Sequence, residues 1–305
     1  MGLRDRAEWK TLLLILACYA AWIGVLSNPL DMAVWAQCLL LIPLITLHSS
    51  LQHECIHGHP FLDQRLNDAL VAVPLGLFVP YRRFKAAHIK HHHGASLTDP
   101  YEDPESWYQT PERWQRLPTT VKILLRWNNR LVGRVLLGPL LSVIGFVGSE
   151  LSTGRRTPAT VRIWVLHGLA VIGLLAVIHI GTGLSAALYL LCAYLGYGLL
   201  SVRTFLEHQA DDSMRARTVL IEDTGPLSWL FLNNNLHAVH HAYPNVAWYE
   251  LPRLFRNNRE RLLAMNQGYY FRSYAEIWRR FAFRAKEPVV YPLAGENRGQ
   301  RGGVA

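Results

Sequence analysis

The chain has 305 residues, half of them hydrophobic and only 17% charged, with the apolar residues gathered into long runs, a pattern that excludes an ordinary soluble enzyme and predicts an all-α membrane protein. The formal charge of +9 would suit a nucleic-acid partner, but no basic helix, zinc finger or aromatic RNA-binding motif accompanies it. Cytoplasmic loops enriched in Lys and Arg account for it instead. The four cysteines, Cys18, Cys38, Cys55 and Cys192, show no CxxC spacing, so neither a disulfide framework nor a cysteine metal site is expected.

Residues 1–10 are polar and basic, and residues 11–27 are apolar and begin the first span. No A-x-A-like cleavage site follows, so this run is expected to be a retained helix rather than a signal peptide. Residues 28–31, with Pro29, form a tight turn. Residues 32–52 form the second span, roughly 30 Å long at 1.5 Å per residue. That helix runs directly into His53-Glu54-Cys55-Ile56-His57-Gly58-His59-Pro60. His53 and His57 are four apart and face one way, while Gly58 and Pro60 fit a helix end. His48 and His59 fall off that shared face and are read as structural.

Residues 69–80 are apolar but too short to span, and are expected to dip into the membrane or lie along it. The polar stretch 81–130 carries His88, His91, His92 and His93 and then an acidic, turn-rich segment, TDPYEDPESW, at 98–107. In a helix, His88, His91 and His92 share a side. Arg82, Arg83 and Lys85, just before them, are read as a positive-inside loop rather than a lipid-phosphate site.

Three more apolar runs follow, at 131–148, 161–181 and 184–202. The first is interrupted by Arg134, Gly138 and Pro139 and followed by Arg155-Arg156, so it is expected to be interfacial or re-entrant. The other two are expected to cross, joined by an outer turn at 181–183. Four crossings result, and neither outer loop then contains Lys or Arg. Residues 203–285 are cytoplasmic on this topology, with amphipathic helices near 249–265 and 270–285. Residues 1–285 read as a single domain whose cap comprises 53–160 and 203–285, followed by a loose tail at 286–305.

His237, His240 and His241 repeat the HxxHH spacing of His88, His91 and His92, and His208 sits about one turn beyond the last span. Nine histidines from four distant places therefore fall at one membrane face, which predicts a metal site. His167 and His179, inside the third span, are read as interhelical hydrogen-bonding groups. Glu54, Asp99, Glu207, Asp211 and Asp223 lie near the clusters and are candidate acceptors for imidazole N–H groups.

HECIH, HIKHH and HAVHH resemble the three histidine boxes of the integral-membrane fatty acid desaturase superfamily, which includes hydroxylases and carotenoid ketolases. The phrases TDPYEDPESW and NNNLHAVHHAYP extend the likeness over roughly residues 45–250. The resemblance implies a non-haem di-iron oxidase with O2 as co-substrate. Its two iron ions would be held by His53, His57, His88, His91, His92, His237, His240 and His241, with His208 as an extra ligand. It also implies an Asn contact, for which Asn233, Asn234 and Asn235 are equivalent candidates. Two departures stand out: Glu54 occupies a position where many relatives have Asp, and His93 leaves the register of the second box open by one.

The function so implied is oxidation of the alkyl chain of a lipid, foremost fatty acyl desaturation. Hydroxylation of a lipid or aminolipid, or carotenoid oxygenation, is available to the same site. No haem, flavin or nicotinamide fingerprint is seen, so electrons are expected from a separate ferredoxin or similar reductase. The setting implied is a bacterial inner membrane, with the site on its cytoplasmic face. Two rivals are a divalent-metal transporter or sensor, with ligands near the bilayer midplane, and a zinc hydrolase, which needs only three or four ligands.

Overall fold

The computed structural model describes residues 8–94, 96–151 and 157–293. The Arg155-Arg156 pair and residues 294–305 of the expected tail lie outside the described residues. The described chain is almost wholly helical. Its strands are β1 (Leu220–Ile221) and β2 (Tyr270–Phe271), paired in parallel. It divides into two compact units. One comprises Met1–Ala86, Gly138–Ser201 and Leu230–Leu232; the other comprises Ala87–Leu137, Val202–Trp229 and Asn233–Ala305.

In chain order the first helices are α1 (Trp9–Ser27), α2 (Val34–Ile56), α3 (Gln64–Leu70) and α4 (Tyr81–His93). They are followed by α5 (Pro111–Arg116), α6 (Thr119–Asn128), α7 (Leu131–Leu151), α8 (Pro158–Thr182) and α9 (Ala186–Thr204). After a 3-10 turn at Met214–Arg217 come α10 (Pro226–Leu230), α11 (His237–Ala242), α12 (Leu251–Met265) and α13 (Tyr274–Phe281). The unit boundaries fall within α4, α7 and α9.

Five helices, α1, α2, α7, α8 and α9, are long and apolar enough to cross a membrane by length and composition. Four match the expected spans. The fifth, α7, differs from the sequence expectation because its interruptions do not break it: Pro139 lies inside one continuous helix. Arg134 falls in the first turns, where its guanidinium stacks 3.6 Å from the Trp107 ring centroid and its Nε donates to the Asn128 carbonyl at 3.2 Å.

The first unit is stitched by polar side chains between apolar helices, since lipid-facing helices gain little from apolar contact with one another. Asn28 adopts the left-handed conformation after α1, and its Oδ1 accepts from Met32 N at 2.7 Å, closing the expected turn. Gln37 Nε2 donates back to Val25 O, Thr46 Oγ1 to Gly196 O, and Trp22 Nε1 to Tyr189 OH. Around them pack Leu41, Ile45, Ile178 and Cys192, while Leu13, Leu39, Leu169 and Ile180 face outward, as suits contact with lipid.

Segment 71–80 enters this core: Leu75 and Leu77 are buried, Tyr189 OH donates to Leu75 O, and His167 Nε2 lies 2.7 Å from Leu77 O. Non-helical backbone in apolar surroundings needs such partners. His179 Nδ1 lies 3.3 Å from Leu184 O, so both histidines of α8 meet backbone carbonyls. Arg83 and Lys85 are ion-paired within the same unit, to Glu150 and Asp68.

In the second unit, Leu220, Leu236, Val239, Leu251, Phe255 and Leu262 form a core between β1, α11 and α12. Residues 286–291, the start of the expected tail, are bonded into it: Lys286 N donates to Asn129 O, and Gln109 exchanges backbone hydrogen bonds with Val289 and Tyr291. The first turn of α7 presses on the end of α6 so closely that a Cβ on Gly133 would lie 1.8 Å from the Trp127 carbonyl oxygen. Gly148, further along α7, has open space around its Cβ position. Gly133→Ala should therefore destabilise by at least about 1–3 kcal/mol, because backbone must move. Gly148→Ala should be neutral or mildly stabilising. Melting temperatures of the two variants in detergent check this, and equal values would contradict it.

Candidate metal centre

Helix α4 presents His88, His91 and His92 at positions i, i+3 and i+4, with ring centroids 4.6–5.9 Å apart. Helix α11 repeats the device with His237, His240 and His241, at 4.6–5.9 Å. His208 follows α9 and joins both: its ring lies 4.7 Å from those of His91 and His237. His92 and His241 stack at 4.1 Å. Seven of the nine predicted histidines are thus together within the second unit. They form two groups, His91–His208–His237–His241 and His88–His92–His240, with ligand nitrogens within 4.8 Å of one another in each. His53 and His57 belong to the first unit, at the end of α2, with ring centroids 4.8 Å apart; Gly58, at φ +89°, turns the chain just after them.

The other histidines are engaged elsewhere. His93 is exposed and its Nδ1 sits 2.8 Å from Ile89 O, so within the second box it is His88, His91 and His92 that gather with the other clusters. His48 Nε2 lies 3.0 Å from Tyr19 OH, and His59 Nδ1 lies 2.9 Å from the Glu8 carboxylate.

Each imidazole of the four-histidine group except His241 is anchored through Nδ1. His91 Nδ1 donates to Asp103 Oδ1 at 2.8 Å, His237 Nδ1 to Asn234 Oδ1 at 3.1 Å, and His208 Nδ1 to Arg217 O at 3.3 Å. In the other group His88 Nδ1 donates to Glu105 Oε1 at 3.0 Å. The acceptors are themselves held. Asp103 receives the backbone N–H of Thr98 and Glu105, while Asn234 Nδ2 reaches Glu207, which is paired to Arg203. Lys286 Nζ donates to the His208 carbonyl and pairs with Glu287 at 2.7 Å.

Asp103, Glu105 and the Arg217 carbonyl lie outside the expected acceptor set. Of that set, Asp99, Asp211 and Asp223 cap turns, accepting from the backbone N–H of Tyr101, Ser213 and Gly225. Glu54 is buried on α2 beside His53. The three asparagines separate cleanly: Asn234 touches His237, whereas Asn233 Nδ2 donates to Trp248 O and Asn235 Nδ2 to Ile221 O. Only the run of acids and prolines at 98–107 hinted at Asp103 and Glu105, because their distance along the chain from the histidines follows no local rule.

Burial would lower the pKa of His91, but Glu105 and Asp103 outweigh it and hold it at about 9. Burial, reinforced by neighbouring imidazoles, holds His208, His237 and His241 well below the usual range. Burial would raise the Glu105 carboxyl, yet His88 and His91 keep it well below the usual carboxylate range.

The contacts between the rings test whether a cation fits. His208 Nε2 lies 2.9 Å from His91 Nε2 and 3.0 Å from His237 Nε2. With Nδ1–H groups donating to oxygen, the Nε2 atoms of neutral His208 and His237 carry lone pairs. A proton on His91 can satisfy one contact, but the single lone pair of His208 cannot also serve His237. His241 Nε2 is buried without a hydrogen-bond partner. Converging lone pairs at this spacing repel unless a cation lies among them, and imidazole nitrogen suits iron, zinc or copper.

The family model described as fatty acid desaturase matches residues 30–274, which include all nine histidines. A comparison with curated proteins finds none that matches. The match extends from the turn before α2 to the start of α13 and takes in four of the five apolar helices and the imidazole clusters, so this chain, a multi-pass membrane protein, belongs to the fatty acid desaturase family.

Proposed function

We propose that the protein is an O2-dependent, non-haem di-iron oxidoreductase that desaturates a fatty acyl chain. The convergence of anchored imidazoles in two groups carries this reading. His91, His208, His237 and His241 would hold one iron. His88, His92 and His240 would hold the other, and the family resemblance adds His53 and His57 to the ligand set. Bound iron supplies the activation of dioxygen that attack on an unactivated C–H bond requires. The chain's own contribution is to fix the donors. Asp103, Glu105, Asn234 and the Arg217 carbonyl set the ring orientations by holding Nδ1–H, and the burial of His88, His91, His237 and His240 limits the access of bulk water.

In the overall reaction a CH2–CH2 unit loses two hydrogens to become CH=CH. O2 becomes two waters, taking up those hydrogens together with two electrons and two protons. The electrons come from a separate donor, a ferredoxin or similar reductase. Residues 1–285 act as one functional domain in a bacterial inner membrane.

With His53 and His208 on the cytoplasmic face, the chain between them must cross an even number of times. Two of α7, α8 and α9 therefore cross, and α7 lies along the interface. Polar anchors at both its ends support this: Arg134 near its start, and Glu150, ion-paired with Arg83, near its finish. A green fluorescent protein fused after Arg156 should then fluoresce in the cytoplasm; activity of an alkaline phosphatase at the same point would instead place α7 across the bilayer.

Metal analysis of the purified chain should find about two irons. His91→Ala should remove about one of them, and His93→Ala neither. A single zinc would support the hydrolase instead.

Lipid mass spectrometry of cells with and without the protein should show an acyl species lighter by two hydrogens, which His237→Ala abolishes. A gain of one oxygen would reassign the reaction to hydroxylation, and no change in any lipid class would defeat the lipid-oxidase reading.

A further inference from the structure

Away from the imidazoles, the second unit carries a cleft of about 340 Å³ between α6 and the segment that follows α13. Its lining includes Trp114, Arg126, Arg130, Pro288, Val289 and Val290. The guanidinium of Arg126 lies over the Trp114 ring at 5.4 Å, joined there by Lys122 Nζ at 5.8 Å, and Arg130 lies over Trp127 at 4.7 Å. An arginine stacked on an indole face keeps its in-plane N–H edge for an oxyanion. No carboxylate among the described residues forms an ion pair with Arg126 or Arg130. Glu287, the carboxylate in the cleft lining, is already bonded to Tyr108 OH and Lys286 Nζ.

The surroundings of the cleft are cationic and apolar together. Ile123, Leu124 and Trp127 of α6 are 46, 42 and 46% exposed. Trp278 and Phe283 stand out from α13 and the residues after it, among exposed Arg279, Arg280 and Arg284. These two stretches are tied to the start of α7: Val132 N donates to Ala282 O at 3.1 Å, and Lys286 N to Asn129 O at 2.9 Å. Helix α7 itself exposes Leu136, Leu140 and Ile144, which a bilayer must cover. Arginines and indoles around the start of an apolar helix match the headgroup zone of a membrane. A soluble acidic partner would account for the cations but not for the exposed Ile123, Leu124, Trp127 and Phe283.

We propose that this cleft binds the phosphate of an anionic phospholipid between Arg126 and Arg130, with the first part of an acyl chain against Trp114, Pro288 and Val289. The site is separate from the imidazole clusters and does not depend on the reaction proposed for them. Arginine rather than lysine suits it, because a guanidinium can meet two phosphate oxygens at once.

Native mass spectrometry of the full chain, released from mixed micelles of phosphatidylglycerol and phosphatidylcholine of equal chain length, tests this. The wild type should retain phosphatidylglycerol preferentially. The double variant R126Q/R130Q should lower that preference on the order of tenfold, as removal of two surface-facing cations predicts. Arg253→Gln, at an exposed position of α12, should leave it unchanged. Iron content measured on the same samples should not move, which separates failure here from failure of the metal assignment. Equal retention of the two lipids by the wild type would overturn the proposal without recourse to any variant. So would unchanged retention by a folded double variant. Binding of a small acidic ferredoxin to the wild type in nanodiscs, abolished by R126Q/R130Q, would also overturn it and assign the face to a protein partner.

Discussion

Three imidazole nitrogens meeting at His208 Nε2, with only one proton to share among them, are the constraint on which much of the second unit depends. The lone pairs of His208 and His237, held 3.0 Å apart, are unfavourable by themselves, so the surrounding structure must hold them there. Helices α4 and α11 do so by the same spacing, which projects three rings from one side of a short helix. The intervening chain supplies the braces. The 98–106 turn delivers Asp103 and Glu105, the backbone at Arg217 receives His208, and the turn at Asn233–Asn235 delivers Asn234. Lys286 secures the His208 carbonyl from the far end of the chain. Each brace fixes an Nδ1–H or a backbone position, leaving Nε2 as the common product.

The first unit solves a different problem with related means. Its helices expose Leu and Ile outward and bury little against one another, so specificity comes from a few polar contacts: Trp22–Tyr189–Leu75, Thr46–Gly196 and Gln37–Val25. The buried carboxylate of Glu150 receives two N–H groups of Arg83 at 2.5 and 2.8 Å. Removing one partner of such a pair would leave an uncompensated charge, whereas an apolar replacement of both could be nearly neutral. The pair therefore fixes where the end of α7 meets the start of α4 more than it adds stability.

Much of this was legible in the sequence because it rests on local periodicity. Repeated HxxHH spacing, the length of an apolar run and the Asn-Pro turn at 28–31 are all properties of neighbouring residues. What could not be read depends on contacts distant along the chain. Asp103 and Glu105 reach His91 and His88 across 12 and 17 residues, and no rule of spacing selects them over Asp99. Nor could sequence separate Asn234 from its neighbours, since all three asparagines are equivalent until a fold tells them apart. Arg134 differs in another way: a charge inside an apolar run suggests a break in the run, but the helix is continuous and has only just begun there, and Trp107 supplies a ring for the guanidinium.

The braces also bear on whether a metal here would be resident or in transit. A transport site must let its ion leave, which favours loosely held ligands and an approach by water. Here His88, His91, His237 and His240 are buried, several rings are bonded at the far nitrogen to oxygen acceptors, and those acceptors are held by backbone N–H groups or further ion pairs. Releasing an ion would return His208 and His237 to lone-pair repulsion with no freedom to rotate away unless their Nδ1 bonds broke as well. Rigidity of this kind raises the cost of the empty state and favours a cofactor kept through turnover over a cargo passed along.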